Sequence, residues 1–180
     1  MAITLTKEDG TGLANANVYA NLADADQYLE NTARKTAWRA FSSKDRSAAL
    51  IQGADYLDQV FRNKYKGTRF SSTQRLEWPR SNVYDELGVL VDPAEIPEEV
   101  GNASIEFAFE AAASPLAPTP VVDDTGGTVI KKREKVDVLE EETTYSDRQN
   151  PRFLRSYPRA QLVIRRWLKA AVGGLYLRAG

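Results

Sequence analysis

The chain has 180 residues, of which 42% are hydrophobic and 27% are charged, and its formal net charge is -1. These values are typical of a single globular domain and exclude both a wholly disordered chain and a polyelectrolyte. Because the sequence contains no cysteine and no histidine, disulfides, thiolate nucleophiles, Cys- or His-ligated zinc and imidazole catalysis are excluded as well.

The N-terminal part of the chain is predicted to be extended or loosely paired over residues 1–20. It lacks the basic start and apolar run of a signal peptide, and no segment reaches the length needed to span a bilayer. We therefore expect a cytosolic protein that makes no membrane contact.

Two helices are predicted next. The first runs from about 22 to 31, with Asn21 as its cap and Asp24 as the capping partner. The second begins at Ser42 or Ser43 and ends near Asn63. Its buried stripe consists of Leu50, Ala54, Leu57 and Phe61. On its exposed side we expect Asp58 to pair with Arg62, and Trp38, just before the helix, is predicted to pack in the core.

Residues 74–80, Gln-Arg-Leu-Glu-Trp-Pro-Arg, form the most informative segment. Pro79 fixes its own φ and disfavours the α region for the residue before it, so the segment is predicted to be a rigid docking element. Gln74, Trp78 and Arg80 are its candidate contact residues. The surrounding aromatic and basic residues of 64–80 also resemble a surface for single-stranded nucleic acid. Anchoring of Leu76 and Trp78 on the core is the alternative.

A third helix is predicted after an acidic loop, residues 81–96, which turns at Gly88. Pro97 suits the first helical position. The apolar stripe of this helix consists of Val100, Ala103, Phe107 and Ala111, whereas Ile105 and Phe109 lie off the stripe. A helix that is apolar on several faces is predicted to lie centrally or at a subunit interface, and Ile105 and Phe109 are interface candidates.

The C-terminal third combines a loop, a charged arm and a basic helix. Residues 113–128 are predicted to be a mobile loop, and residues 129–142 one or two exposed strands, as a hairpin that needs a partner to order it. Glu140, Glu141 and Glu142 alternate between strand faces and therefore do not converge on a metal. The last helix begins at Pro158 and ends near residue 172. The interface candidates of this region are Lys131, Lys132, Arg133, Lys135, Arg159, Arg165, Arg166, Trp167 and Tyr176.

Charge is segregated along the sequence. Residues 1–83 carry 12 basic and 9 acidic side chains, residues 84–147 carry 4 and 16, and residues 148–180 carry 8 and 0. This distribution predicts that the acidic middle meets the basic end, within one chain or between copies. Two solvated faces of opposite sign are the alternative.

The predicted fold is mainly α, a small bundle of about four helices with a protruding hairpin or extended arm and long loops. We expect one domain over 1–180. Its helical body would comprise about 20–112 and 158–172, the loop and arm about 113–150, and the C-terminal tail 173–180.

Several of these features together resemble a known family. They are Tyr28-Leu29, Ala48-Ala49-Leu50 leading to Ala54-Asp55-Tyr56-Leu57-Asp58, Gly67, the heptad 74–80, Ile96-Pro97 and the Lys-rich strand. The pattern, over about residues 18–142, resembles the head–tail connector adaptors of tailed bacteriophages, and it is often labelled DnaT-like single-stranded-DNA-binding protein. The basic stretch 148–180 is longer than in the usual member.

The resemblance implies a non-enzymatic virion protein without cofactor or metal. It would form a ring of about twelve copies between the portal and the tail or neck proteins, assembled in the host cytoplasm, and would contact packaged duplex DNA non-specifically. A single-stranded-DNA-binding replication accessory protein is the second hypothesis. A hydrolase or nuclease is disfavoured, because the chain offers no histidine and no convergent carboxylates.

Overall fold

The computed structural model describes residues 3–117, 129–135, 140–145 and 155–169. The chain divides into two compact units, one comprising Met1–Ser114 with Tyr157–Gly180 and the other Pro115–Ser156. Five α-helices and two short antiparallel strand pairs make up the described secondary structure. The fold is mainly α, as predicted.

Helix α1, Leu22–Glu30, begins with the predicted capping box. The Asp24 amide donates to Asn21 Oδ1 at 3.0 Å, and the Asn21 amide donates to Asp24 Oδ2 at 2.8 Å. Helix α2, Lys35–Ala40, was not predicted; its N-cap makes no side-chain hydrogen bond. It carries Trp38, which is fully buried. The predicted core position of Trp38 is therefore confirmed.

Helix α3, Ser43–Phe61, is capped by Ser42, whose Oγ accepts from the Asp45 amide at 3.1 Å. All four residues of its predicted apolar stripe are buried. The predicted exposed pair of Asp58 and Arg62 is wrong: Asp58 is 7% exposed, and Arg62 Nε lies 3.4 Å from Glu77 Oε1. Asp58 lies on the buried side of the helix.

Helix α4, Glu98–Ala113, packs against α3. Pro97 is at the N-cap and not at the predicted first helical position, and it makes no side-chain capping hydrogen bond. The backbones of α3 and α4 nearly touch at Gly53, where a Cβ atom would lie 2.5 Å from the Ser104 carbonyl oxygen and 2.7 Å from the Ala108 nitrogen. On the other side, the Phe107 and Tyr157 ring centroids are 5.5 Å apart. Helix α4 is therefore central in its unit, in agreement with its apolar residues on several faces.

A buried ion pair ties α4 to the α1–α2 region. Glu106, 4% exposed, accepts two hydrogen bonds from the Arg34 guanidinium, at 2.5 and 2.6 Å. The Tyr28 hydroxyl donates to the same carboxylate at 2.9 Å. Glu106 of α4 therefore contacts both Tyr28 of α1 and Arg34 at the N-cap of α2, and the bidentate pair adds geometric specificity to the contact.

Helix α5, Pro158–Ile164, starts with proline at its first turn, as predicted, but it ends earlier than predicted. A 3₁₀ turn, Arg165–Trp167, follows it, and Leu168 is extended. The Lys66 amide donates to the Trp167 carbonyl at 3.0 Å, and the Lys169 amide donates to the Lys64 carbonyl at 2.7 Å. These long-range backbone bonds replace the next helical turn. The remainder of the predicted helix and the tail 173–180 lie outside the described residues.

Two antiparallel strand pairs complete the fold. Strands β1, Thr68–Arg69, and β2, Arg80–Ser81, pair at the two ends of the segment that contains residues 74–79. In the other unit, β3, Val129–Lys135, pairs with β4, Glu140–Tyr145, which confirms the predicted hairpin. Its register sets Arg133 opposite Glu142 and Lys135 opposite Glu140. The predicted loop 113–128 lies largely outside the described residues.

Within the described ranges, none of the helices combines the length and hydropathy that crossing a bilayer requires.

Candidate functional site

The heptad 74–80 lies inside the helical unit. Gln74 is 2% exposed and organises the segment through its amide group. Its Oε1 accepts from the Ser71 amide at 2.7 Å, and its Nε2 donates to the Leu76 carbonyl at 2.8 Å and to the Pro79 carbonyl at 3.0 Å. One side chain therefore satisfies three backbone groups of an irregular loop.

Trp78 is the apolar anchor of this segment and is fully buried. Its ring meets those of Tyr65 and Trp167 edge-on, with centroid distances of 5.9 and 5.8 Å. Edge-to-face aromatic contacts of this kind are favourable, so Trp78 joins the heptad to the C-terminal 3₁₀ turn. The peptide bond between Trp78 and Pro79 is cis.

Arg80 is 5% exposed, and its guanidinium is surrounded by acceptors. Nε donates to the Lys66 carbonyl at 2.8 Å, Nη2 to the Gly67 carbonyl at 3.1 Å, and Nη1 to the backbone carbonyl and carboxylate of Glu77 at 3.1 and 3.2 Å. The guanidinium carbon also lies 5.5 Å from the Tyr65 ring centroid. These contacts commit the charge of Arg80 to holding the segment together.

Asp58 supplies a buried polar contact beneath the heptad. Both of its carboxylate oxygens lie 2.8 Å from the Tyr19 hydroxyl, and Oδ2 accepts from the Glu77 amide at 2.9 Å. The same hydroxyl accepts from the Trp78 amide at 3.1 Å. Burial raises the pKa of Asp58 to about 7, and burial together with Asp58 raises the pKa of Tyr19 well above its ordinary value. The group connects α3, the N-terminal segment and the heptad.

The chemistry of the heptad is structural. It contains no nucleophile, and the side chains of Gln74 and Arg80 bond to the backbone and to Glu77. The buried Trp78 Nε1 makes no hydrogen bond within the described residues. Among the residues that the structure describes, no three acidic, histidine or cysteine side chains converge where they could hold a metal ion. In this conformation Gln74, Trp78 and Arg80 are enclosed, so the segment is a brace and not an exposed docking surface.

The other candidate residues are distributed over several parts of the fold. Ile105 is buried, and Phe109 is half-buried with the Arg34 guanidinium carbon 4.8 Å from its ring centroid. Trp167 is 5% exposed and packs on Trp78. Arg159, Arg165 and Arg166 are exposed on α5 and the 3₁₀ turn. The strand β3 carries Lys131, Lys132, Arg133 and Lys135, and Tyr176 lies outside the described residues.

The acidic middle and the basic end of the chain meet at Glu99. Arg166 Nη1 donates to Glu99 Oε1 at 2.6 Å, and Trp167 Nε1 donates to Oε2 at 3.1 Å. The contact lies within one chain, one of the two arrangements that the charge pattern predicted. Arg159 on α5 and Arg165 in the 3₁₀ turn are exposed and add positive charge to this end of the chain.

The acidic loop with its turn at Gly88 was predicted from the sequence, but the exposure of its apolar side chains and a neighbouring groove were not. In the acidic turn, residues 83–91, Tyr84, Leu87, Val89 and Leu90 are each more than half exposed. The basic groove, about 770 Å³ in volume, lies between the end of α3 and α5. The apolar run Leu87-Gly88-Val89-Leu90-Val91 was the available signal for the turn. The groove depends on long-range packing, so no local signal marks it.

Comparison with known protein families matches residues 3–180 to the family described as "Putative DnaT-like ssDNA binding protein". Neither the curated proteins nor the solved structures contain a significant match to the chain.

Proposed function

The chain belongs to this DnaT-like family, and we propose, from the burial of its heptad and not from the family description, that it is a head–tail connector adaptor of a tailed bacteriophage. In this function copies of the chain form a ring between the portal and the tail or neck proteins, and the ring surrounds the DNA channel. The protein acts by assembly and performs no catalysis.

The observation that carries this proposal is the burial of the heptad. A surface that binds single strands stacks bases on exposed aromatic rings and lines the backbone with available cations. Tyr65 and Trp78 are fully buried, and the guanidinium of Arg80 is already bonded to the protein. Three central residues of the predicted single-strand surface therefore build the fold, whereas Phe70 is 45% exposed.

The exposed features suit contacts between proteins. Leu87 is 88% exposed at the tip of the acidic turn, and Leu162 is 66% exposed on α5 beside Arg165. Exposed apolar side chains grouped with charge are typical of protein interfaces. The charged hairpin adds a second unit through which an adaptor can reach a neighbour.

The test is assembly on the portal protein encoded in the same genome. The full chain is mixed with portal rings, and occupancy is counted by native mass spectrometry and electron microscopy. We expect a ring of the wild-type chain on the portal. For the double variant Arg159→Glu, Arg165→Glu, occupancy should be at least about tenfold lower, because reversing the charge of two exposed arginines opposes association. The matched control is Lys44→Glu, which reverses an exposed charge at the far end of α3. A wild-type chain that stays free of the portal refutes the adaptor function.

The family description favours a second candidate, single-stranded DNA binding. Its basis in the structure is the exposed arginines of α5, since the aromatic rings of the heptad are enclosed. Anisotropy with a labelled oligothymidine, measured over a salt series, separates the two functions. Tight, strongly salt-dependent binding that prefers single strands and is lost in the arginine double variant would establish this candidate in place of the adaptor.

A further inference from the structure

We infer that the acidic turn of one copy docks in the basic groove of a second copy. The inference rests on the proposed function in one respect, that copies of the chain meet. It assigns the surfaces through which they do so.

The acidic turn is a preformed knob. Asp85 Oδ1 accepts from the Leu87 and Val89 amides, both at 2.8 Å, and the Asp85 amide donates to the Val89 carbonyl at 2.9 Å. Gly88 has a φ of +78°, which the tight turn requires and glycine adopts without strain. A backbone held this way loses little conformational entropy when a partner buries the turn. Leu87 is therefore suited to act as an apolar anchor.

The basic groove has complementary shape and composition. Its apolar floor includes Val60, Phe61, Leu162 and Leu168, and Lys64, Arg165 and Lys169 supply its charge. The residues that line it include no acidic side chain. Lys64 Nζ lies 5.3 Å from the Phe61 ring centroid, so this cation stands over the floor of the groove. The site accepts an apolar group flanked by negative charge.

Charge identifies the acidic turn as the occupant. Residues 83–91 contain Asp85 and Glu86 and no basic residue, and Asp92 follows directly. In this contact the acidic side chains next to Leu87 would face the basic side chains of the groove, and Leu87 would face its apolar residues. The two surfaces are therefore complementary in charge and in hydrophobicity. On its own chain, Glu86 lines a smaller cavity with Lys66, Arg166 and three residues that also line the groove, Leu162, Arg165 and Leu168. The turn and the groove thus lie close enough together to belong to one assembly surface.

The absence of cysteine from the sequence allows a direct test. Full-length Leu87→Cys is mixed with full-length Gln161→Cys, free and on the portal, and oxidised; Gln161 is exposed and lines the groove. A disulfide needs Cα atoms within about 7 Å, so its formation reports the contact itself. We expect at least about tenfold more mixed disulfide than with Lys44→Cys as the partner, which lies about 25 Å from the groove along α3. Val89→Cys serves as a second knob position if Leu87→Cys fails to fold.

Charge exchange provides an independent measurement. Glu86→Arg should lower the yield of the mixed disulfide at least about tenfold, and Arg165→Glu in the partner chain should restore it. Equal yields for the groove and the Lys44→Cys control overturn the inference. A ring that forms on the portal without the mixed disulfide also overturns the inference, but it leaves the proposed adaptor function in place. The disulfide without a ring on the portal supports the contact and refutes the adaptor. A last experiment uses one chain that carries both Tyr176→Cys and Gln161→Cys. If a disulfide forms within that chain, and Leu87→Cys forms none with Gln161→Cys, the groove belongs to the chain's own C-terminal tail and the inference is overturned.

Discussion

Replacing Gln74 by alanine tests whether the heptad is a brace or a docking surface. The change removes an amide that accepts from the Ser71 amide and donates to the carbonyls of Leu76 and Pro79. If the heptad is a brace, the variant loses stability even when no partner is present. If it is a docking surface, stability is unchanged and only assembly suffers.

The expected loss follows from the groups that are left without partners. Leu76 and Pro79 are buried, so water cannot readily replace the amide at their carbonyls. Each unsatisfied buried group costs about 1–3 kcal/mol. The half-buried Ser71 amide is accessible to solvent and contributes less. The free energy of unfolding should therefore fall by about 2–5 kcal/mol, a large part of the 5–15 kcal/mol or so that is typical of a domain.

Equilibrium unfolding in guanidinium chloride measures this loss. With a slope of about 4 kcal/mol/M, the midpoint should shift down by about 0.5–1.2 M. Thr73→Ala is the matched control, because Thr73 is exposed one residue away and should change stability by no more than about 0.5 kcal/mol. A loss below about 1 kcal/mol for Gln74→Ala, equal to that of the control, would refute the brace.

Three further predictions concern the α3–α4 contact, the Glu106–Arg34 pair and the buried Asp58. Gly53→Ala should lower stability by about 1–3 kcal/mol through overpacking. At Gly101 an added Cβ would lie 3.8 Å from its nearest neighbour, so Gly101→Ala should raise stability by about 0.5–1 kcal/mol. Thermal unfolding measures both changes. Glu106→Ala should cost about 3–5 kcal/mol in chemical unfolding, because it leaves the charge of Arg34 partly buried without its partner. For Asp58, the raised pKa means that the folded state binds the proton more tightly than the unfolded state does. The free energy of unfolding should therefore fall as the pH rises from 4 to 7, by up to about 1.4 kcal/mol per pH unit.

The controls for these predictions are internal. If both glycine variants change stability in the same direction, the close approach of α3 and α4 is not the cause. Asp55→Ala removes an exposed ion pair with Arg75 and should cost no more than about 1 kcal/mol, so an equal cost for Glu106→Ala would contradict the buried pair. Asp58→Asn should remove the part of the pH dependence of the unfolding free energy that comes from Asp58. If this dependence over pH 4–7 is the same in the variant and the wild type, Asp58 does not bind the proton in question.

Local signals in the sequence predicted the features that depend on neighbouring residues. The capping box at Asn21, the cap at Ser42 and the proline that opens α5 each act within one helical turn, and each is present in the structure. The hairpin likewise follows from alternation along adjacent strands. Helix α2 was missed because it has six residues, too few for a periodic pattern, and no capping side chain.

The errors arose where distant parts of the chain meet. Asp58 lies four residues after Ala54 and three before Phe61, so helical spacing already placed it on the buried face. Its charge nevertheless suggested solvent, because its partners Tyr19 and Glu77 are 39 and 19 residues away. The stiffness of the heptad was a local property, but its burial depends on Trp167, which lies 89 positions beyond Trp78 in the sequence. Local patterns do not contain that information.

The hairpin unit, Pro115–Ser156, is an excursion from the middle of the helical unit and not an extension of one end. The chain leaves after α4 and returns just before α5, and these two helices pack against each other. A mechanical load on the hairpin is therefore shared between two covalent tethers anchored in adjoining helices. A force applied to the hairpin would therefore load α4 and α5 together.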